Sequence, residues 1–125
     1  MTRDDLVVLA VDDDMINLKL LKSMLKKSGK VKEVIEAGNG SDAIGQLKSR
    51  DDIDLILLDI IMPIMGGIDM LKVVRADDNL RQLPIIVLTT DETKKVEALE
   101  CGANGFLMKP IRNEDLLKKM ATVIV

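Results

Sequence analysis

The chain has 125 residues, enough for one domain with its own core and no need of disulfides or a structural metal. At 47% apolar and 31% charged it is too apolar for a disordered chain and too charged for a membrane protein, and a net charge of −3 argues against nucleic acid as its main partner. With no His, Trp or Tyr and one Phe, it has no His-based catalysis, no His metal ligand and no base-stacking platform, so any chemistry rests on Asp, Glu, Lys, Ser, Thr, the lone Cys101 or a bound ion.

The N-terminal run MTRDDLVVLA is acidic before its short apolar stretch and does not read as a secretory leader. Together with a single cysteine this predicts a reducing, cytoplasmic setting. No apolar run approaches the ~18 residues of a membrane span. Val7 to Val11 predicts a first strand. A helix over Asp14 to Lys27 follows, with Leu20, Leu21, Met24 and Leu25 on one face and Gly29 as its stop. Val34 to Ala37 predicts a second strand, and Ser41 the cap of a helix ending near Arg50. Leu55 to Leu58 is a third strand. The helix after Gly66-Gly67 carries Ile68, Leu71, Val73 and Val74 inward. Ile85 to Leu88 is a fourth strand, followed by a helix over Thr93 to Cys101 that stops at Gly102, with Cys101 as a small core residue. Phe106 to Met108 is the fifth strand. The last helix is capped by Asn113, with Glu114 and Asp115 in its first turn.

Three of the strands are apolar at every position, which predicts burial on both faces and a parallel sheet. Five βα units then form one doubly wound, flavodoxin-like α/β domain with strand order 2-1-3-4-5. In that order the first and third strands flank the switch point, where ligands bind at the strand carboxyl ends.

Strand ends converge on that edge. The first runs into Asp12-Asp13-Asp14, the third into Asp59, the fourth into Thr89-Thr90 and the fifth into Lys109-Pro110. Two carboxylates ~4 Å apart repel by about 4 kcal/mol at an effective dielectric of ~20. A divalent cation with Lys109 cancels the charge of Asp12, Asp13 and Asp59, and hard oxygen donors suit Mg²⁺. Any one of these residues alone is more ordinarily a cap, a turn or a solvated side chain. Their coincidence on one edge points to phosphate chemistry. Glu36, at the end of the second strand, stands outside the set.

The segments VLAVDDDMIN, DLILLDIIMPIMGG, LPIIVLTTDE and GANGFLMKPI, with Asp13, Asp59, Thr89 and Lys109 spaced 46, 30 and 20 positions apart, resemble the receiver domain of two-component response regulators over the whole chain, residues 1–125. The resemblance implies that Asp59 is the phosphoacceptor. It implies Mg²⁺ (or Mn²⁺) bound by Asp13 and Asp59, by the Ile61 backbone carbonyl and, through water, by Asp12. Lys109 would bind the phosphoryl oxygens, with a cis peptide to Pro110. Thr89 would hydrogen-bond the phosphoryl group, and Phe106 would be the switch aromatic that changes the face of helix 4, strand 5 and helix 5. On periodicity alone Phe106 reads as a permanently buried ring.

The implied partners are a sensor histidine kinase or histidine phosphotransfer domain, an output domain or downstream protein, and a second copy through the helix 4–strand 5–helix 5 face. No membrane and no direct nucleic-acid contact are implied. The protein would catalyse only its own phosphorylation and dephosphorylation. Gly66 departs from the acidic or amide residue that many relatives carry. Ile61 and Asp91 occupy positions flanking the phosphoryl group, and apolar Ile61 predicts slow hydrolysis. Met15 beside the site is a candidate kinase contact. Two other readings stand beside this one. One is a small Mg²⁺-dependent phosphatase resembling the haloacid-dehalogenase group, with Asp12 as nucleophile. The other is a receiver-like interaction module that is never phosphorylated.

Overall fold

The computed structural model describes residues 4–62 and 64–124. The first three residues of the leader reading, Pro63 of the DIIMP motif and Val125 lie outside the described residues. The strands are β1 (Leu6–Val11), β2 (Val31–Ala37), β3 (Leu55–Asp59), β4 (Ile85–Thr89) and β5 (Gly105–Met108). They form one parallel sheet in the order β2-β1-β3-β4-β5. The helices are α1 (Met15–Lys27), α2 (Gly40–Ser49), α3 (Gly67–Ala76), α4 (Lys95–Glu100) and α5 (Asn113–Val123), with a 3-10 turn at Glu92–Lys94 before α4.

Side chains alternate across a strand, so each central strand feeds two cores. Val8, Ala10, Leu55, Leu57, Ile86 and Leu88 pack with Leu18, Leu21 and Leu25 of α1 and with Leu116 and Met120 of α5. Leu9, Val11, Ile56, Leu58, Ile85 and Val87 pack with Ala43 and Leu47 of α2, Met70, Leu71 and Val74 of α3, and Ala98 of α4. Burial on both faces is why these strands are apolar throughout.

Several local expectations are corrected. The buried stripe of α1 is Leu18, Leu21 and Leu25, while Leu20 is 60% exposed because the stripe lies further round the helix. The cap of α2 is Asn39, whose Oδ1 accepts from the Asp42 N–H at 2.8 Å, and Ser41 lies inside the helix. In α3 the inward residues include Met70, and Val73 is exposed. The residues expected to open the fourth helix form the 3-10 turn instead, with Asp91 as its cap. In α5, Asn113 is the first helical residue and Arg112 the cap, with no side-chain capping bond. Strand β2 starts three residues earlier than its apolar run, because the edge position lets Lys32 and Glu33 meet water. Cys101 is half-buried and packs against the α2–α4 core.

Candidate functional site

Strand β1 carries the chain to Asp12, whose N–H continues the ladder to the Ala37 carbonyl at 3.1 Å. Asp12 is 6% exposed, and both carboxylate oxygens are engaged. Its Oδ1 accepts from the Asp14 N–H at 2.9 Å and its Oδ2 from Lys109 Nζ at 2.9 Å. Asp13 is exposed at the mouth. Asp14 turns away and caps α1, its Oδ1 accepting from the Ile16 N–H at 2.9 Å.

Asp59, 7% exposed, closes β3 and stands next to Asp12 across the switch point. Its Oδ1 accepts only a long bond from the Ile61 N–H, 3.3 Å, and its Oδ2 lies 3.5 Å from Lys109 Nζ. The chain leaves the strand through a tight return in which the Gly67 N–H donates to the Ile60 carbonyl at 2.8 Å. A Cβ on Gly67 would fall 2.5 Å from the Asp59 carbonyl oxygen, so the return that starts α3 demands glycine. The sequence showed Gly66-Gly67 only as a helix start and did not reveal this contact.

Thr89 ends β4 and is fully buried. Its carbonyl accepts from the Lys109 N–H at 2.8 Å, which brings the β5 exit to the site, and its Oγ accepts from the Asp91 N–H at 3.1 Å. The Lys109–Pro110 peptide is cis. Asp91 faces Thr93, accepting its N–H at 3.0 Å and its hydroxyl. Phe106 pairs with Val87 in the sheet register and is half-buried against the α2–α4 core. Glu36 is paired with Lys22 at 3.5 Å, outside the site.

Carboxylate oxygens of Asp12, Asp13 and Asp59 lie within 4.8 Å of one another. One ammonium, Lys109, opposes these three carboxylates, leaving two formal negative charges. Burial disfavours the Asp59 anion. The Lys109 ammonium works against that effect and the Asp12 carboxylate adds to it, and the carboxyl is pushed up to about 6. Burial pulls the Lys109 ammonium down, but the bonds and charges of Asp12 and Asp59 outweigh it and its pKa is raised. Clustered hard oxygens with uncancelled negative charge fit a divalent cation such as Mg²⁺.

A family model for the response regulator receiver domain matches residues 8–121. The chain is 34% identical over 119 residues to the chemotaxis protein CheY1 of Helicobacter pylori J99, covering 94% of this chain and 95% of that protein. It is 39% identical over 119 residues to the transcriptional regulatory protein CpxR of Escherichia coli K12, covering 94% of this chain and 48% of that one. Among solved structures, it is similar to the receiver domain of the sensor histidine kinase PA1611 of Pseudomonas aeruginosa PAO1, with a TM-score of 0.86, 27% identity and coverage of 95% and 97%. That structure has a magnesium ion coordinated in its active site cleft.

Proposed function

This chain belongs to the response regulator receiver domain family, and on that premise we propose that it is a phosphoacceptor of two-component signalling in which Asp59 takes the phosphoryl group. One contrast carries the choice of Asp59. The Asp12 carboxylate is tied by two bonds of 2.9 Å, whereas the oxygens of Asp59 are held only by longer contacts of 3.3 and 3.5 Å and are the more readily released to attack. The same contrast speaks against Asp12 as nucleophile, as a phosphatase resembling the haloacid-dehalogenase group would require.

Asp12, Asp13, Asp59 and the Ile61 backbone carbonyl would hold Mg²⁺ or Mn²⁺. When bound, the cation supplies charge neutralisation at the oxygens of the transferring group. The Asp59 carboxylate needs no general base. It attacks phosphorus, an O–P bond forms, and the bond to the donor breaks. Lys109 orients the phosphoryl oxygens. The Thr89 oxygen already accepts from Asp91, so its own proton is available for the new phosphate. The phosphate brings about −1.5 to −2 of charge and three acceptor oxygens. Movement of Thr89 toward it frees room behind β4 for the Phe106 ring, and the α4–β5–α5 face changes with it.

The donor is a histidine kinase or a histidine phosphotransfer domain. Exposed Leu20 lines an apolar slot of about 250 Å³ with Leu21, Met24, Leu88, Pro110 and Ile111, reaching Asp12 and Lys109, and Met15 and Ile16 are exposed on the same helix, which suits an apolar helix from that donor. Among the described residues no helix is long and apolar enough to cross a membrane. We assign the whole of residues 1–125 to one receiver unit working in the cytoplasm.

Intact mass after incubation with acetyl phosphate and Mg²⁺ tests the reading. One phosphate should add to wild type and none to Asp59→Asn or to wild type in EDTA. A gain that survives in Asp59→Asn identifies another nucleophile. No gain in wild type, with no binding of a phosphoryl mimic, makes the chain an interaction module.

A further inference from the structure

Helix α4 is held very differently at its two ends. Its only buried residue is Ala98, and its start has no side-chain cap. The 3-10 turn before it hangs from Asp91, which is joined to β4 through the Asp91 N–H to Thr89 Oγ bond.

The far end is closed and clamped. The Ala103 N–H donates to the Ala98 carbonyl at 3.0 Å and the Gly102 N–H to the Leu99 carbonyl at 3.1 Å, a Schellman motif with Gly102 at φ 107°. The next residue, Asn104, pairs twice with Ile85 at the start of β4. Its N–H donates to the Ile85 carbonyl at 2.8 Å, and its Oδ1 accepts from the Ile85 N–H at 2.9 Å.

Over this junction lies the Arg75 guanidinium, from the last turn of α3. It donates five hydrogen bonds: two to the Gly102 carbonyl (3.0 and 2.8 Å), one each to the Arg81 and Leu83 carbonyls (3.0 and 2.8 Å), and one to Asn104 Oδ1 (2.8 Å). All four acceptors are neutral, and they come from two separate loops. A Cβ on Gly102 would meet the Arg75 side chain at 2.8 Å, so the clamp also requires glycine there.

We infer that Arg75 is a positioning residue that pins the C-terminal end of α4 to the base of the sheet, so that α4 answers events at the acid site by swinging its N-terminal end about Gly102. The static half of this inference stands on the hydrogen bonds alone. The swing rests on the phosphoacceptor reading. Lysine cannot replace Arg75, because a single ammonium lacks the fork that reaches both loops.

Amide hydrogen exchange on the full chain tests both halves. In metal-free protein, the Ala103 and Asn104 amides should exchange at least about 100-fold more slowly than the Lys94 amide. Arg75→Lys should cost Ala103 and Asn104 about tenfold in protection and leave Leu57 in β3 unchanged. With Mg²⁺ and beryllofluoride, residues 91–96 should change their exchange while Ala103 and Asn104 stay within about twofold. Equal protection at the two ends of α4 in wild type would overturn the inference. So would a ligand response at Ala103 and Asn104 as large as that at Lys94. Unchanged protection at Ala103 and Asn104 in Arg75→Lys would overturn the role of Arg75, and should that variant fail to fold, Arg75→Gln takes its place with the same expected loss. A chain that shows the metal-free contrast but no ligand response anywhere removes the phosphoacceptor reading and upholds the pin.

Discussion

At the carboxyl ends of the strands Lys109 stands among Asp12, Asp13 and Asp59; at the opposite pole Arg75 stands among the carbonyls of Arg81, Leu83 and Gly102 and the amide of Asn104. Lys109 is outnumbered by charge. Two formal negative charges stay uncompensated, and burial pushes the Asp59 carboxyl up to about 6 in spite of the Lys109 ammonium. Arg75 meets only neutral acceptors and saturates its fork. Arg50 near the same pole is likewise satisfied, by Glu33 at 2.9 Å and Asp52 at 2.7 Å. One pole therefore stores unfavourable electrostatics that a divalent cation relieves, and the other has spent its polar groups on fastening loops.

The contrast can be broken from either side. The largest expected effect is at the braced pole. Arg75→Leu strips donors from four acceptors and should cost about 3 kcal/mol in urea unfolding. A loss under about 1 kcal/mol would mean water satisfies those carbonyls equally well.

At the strained pole the sign reverses, because Asp59→Asn should stabilise the metal-free protein. The Asp59 carboxyl titrates at about 6 when folded and near 3.8 in its ordinary state. Between those values the folded state holds a proton the unfolded state has released, so stability falls as pH rises and the cost is complete above about 6. In EDTA at pH 7 the variant should gain about 2 kcal/mol over wild type, and the gain should fade as pH drops toward 4. Melting curves across that range check it, and a gain unaffected by pH would contradict the burial origin.

A smaller effect separates binding from stability. Asp13 is exposed, so Asp13→Asn should leave the metal-free melting temperature unchanged while weakening Mg²⁺ by about tenfold, measured by calorimetric titration. The smallest concerns lifetime. Ile61 is 59% exposed beside Asp59 and offers no polar atom from its side chain to orient water. Ile61→Asn should speed loss of the phosphoryl mass by about threefold, and faster loss in wild type would refute that role.

The strained pole was legible in the sequence because each polar residue directly follows an apolar strand. Strand order alone then brings Asp12, Asp59, Thr89 and Lys109 to one edge. The braced pole was not legible. The partners of Arg75 are backbone carbonyls, which any residue supplies, and they come from loops that only folding brings to it. Helix starts were ambiguous for a related reason. Asn39, Ser41 and Asp42 can all cap, and the Asn39 bond to the Asp42 N–H decides between them. The edge strand β2 begins with residues that face water, so a search for apolar runs met only its second half. Gly67 was visible as a break but not as the only residue that fits against the Asp59 carbonyl.

The central claim is that the loosely held carboxylate, Asp59, is the one that takes the phosphoryl group. Borohydride reduction of the phosphorylated protein converts an aspartyl phosphate to homoserine, and peptide mass spectrometry then locates it. The account predicts homoserine at position 59 and nowhere else. Homoserine at position 12 or 13 would contradict it.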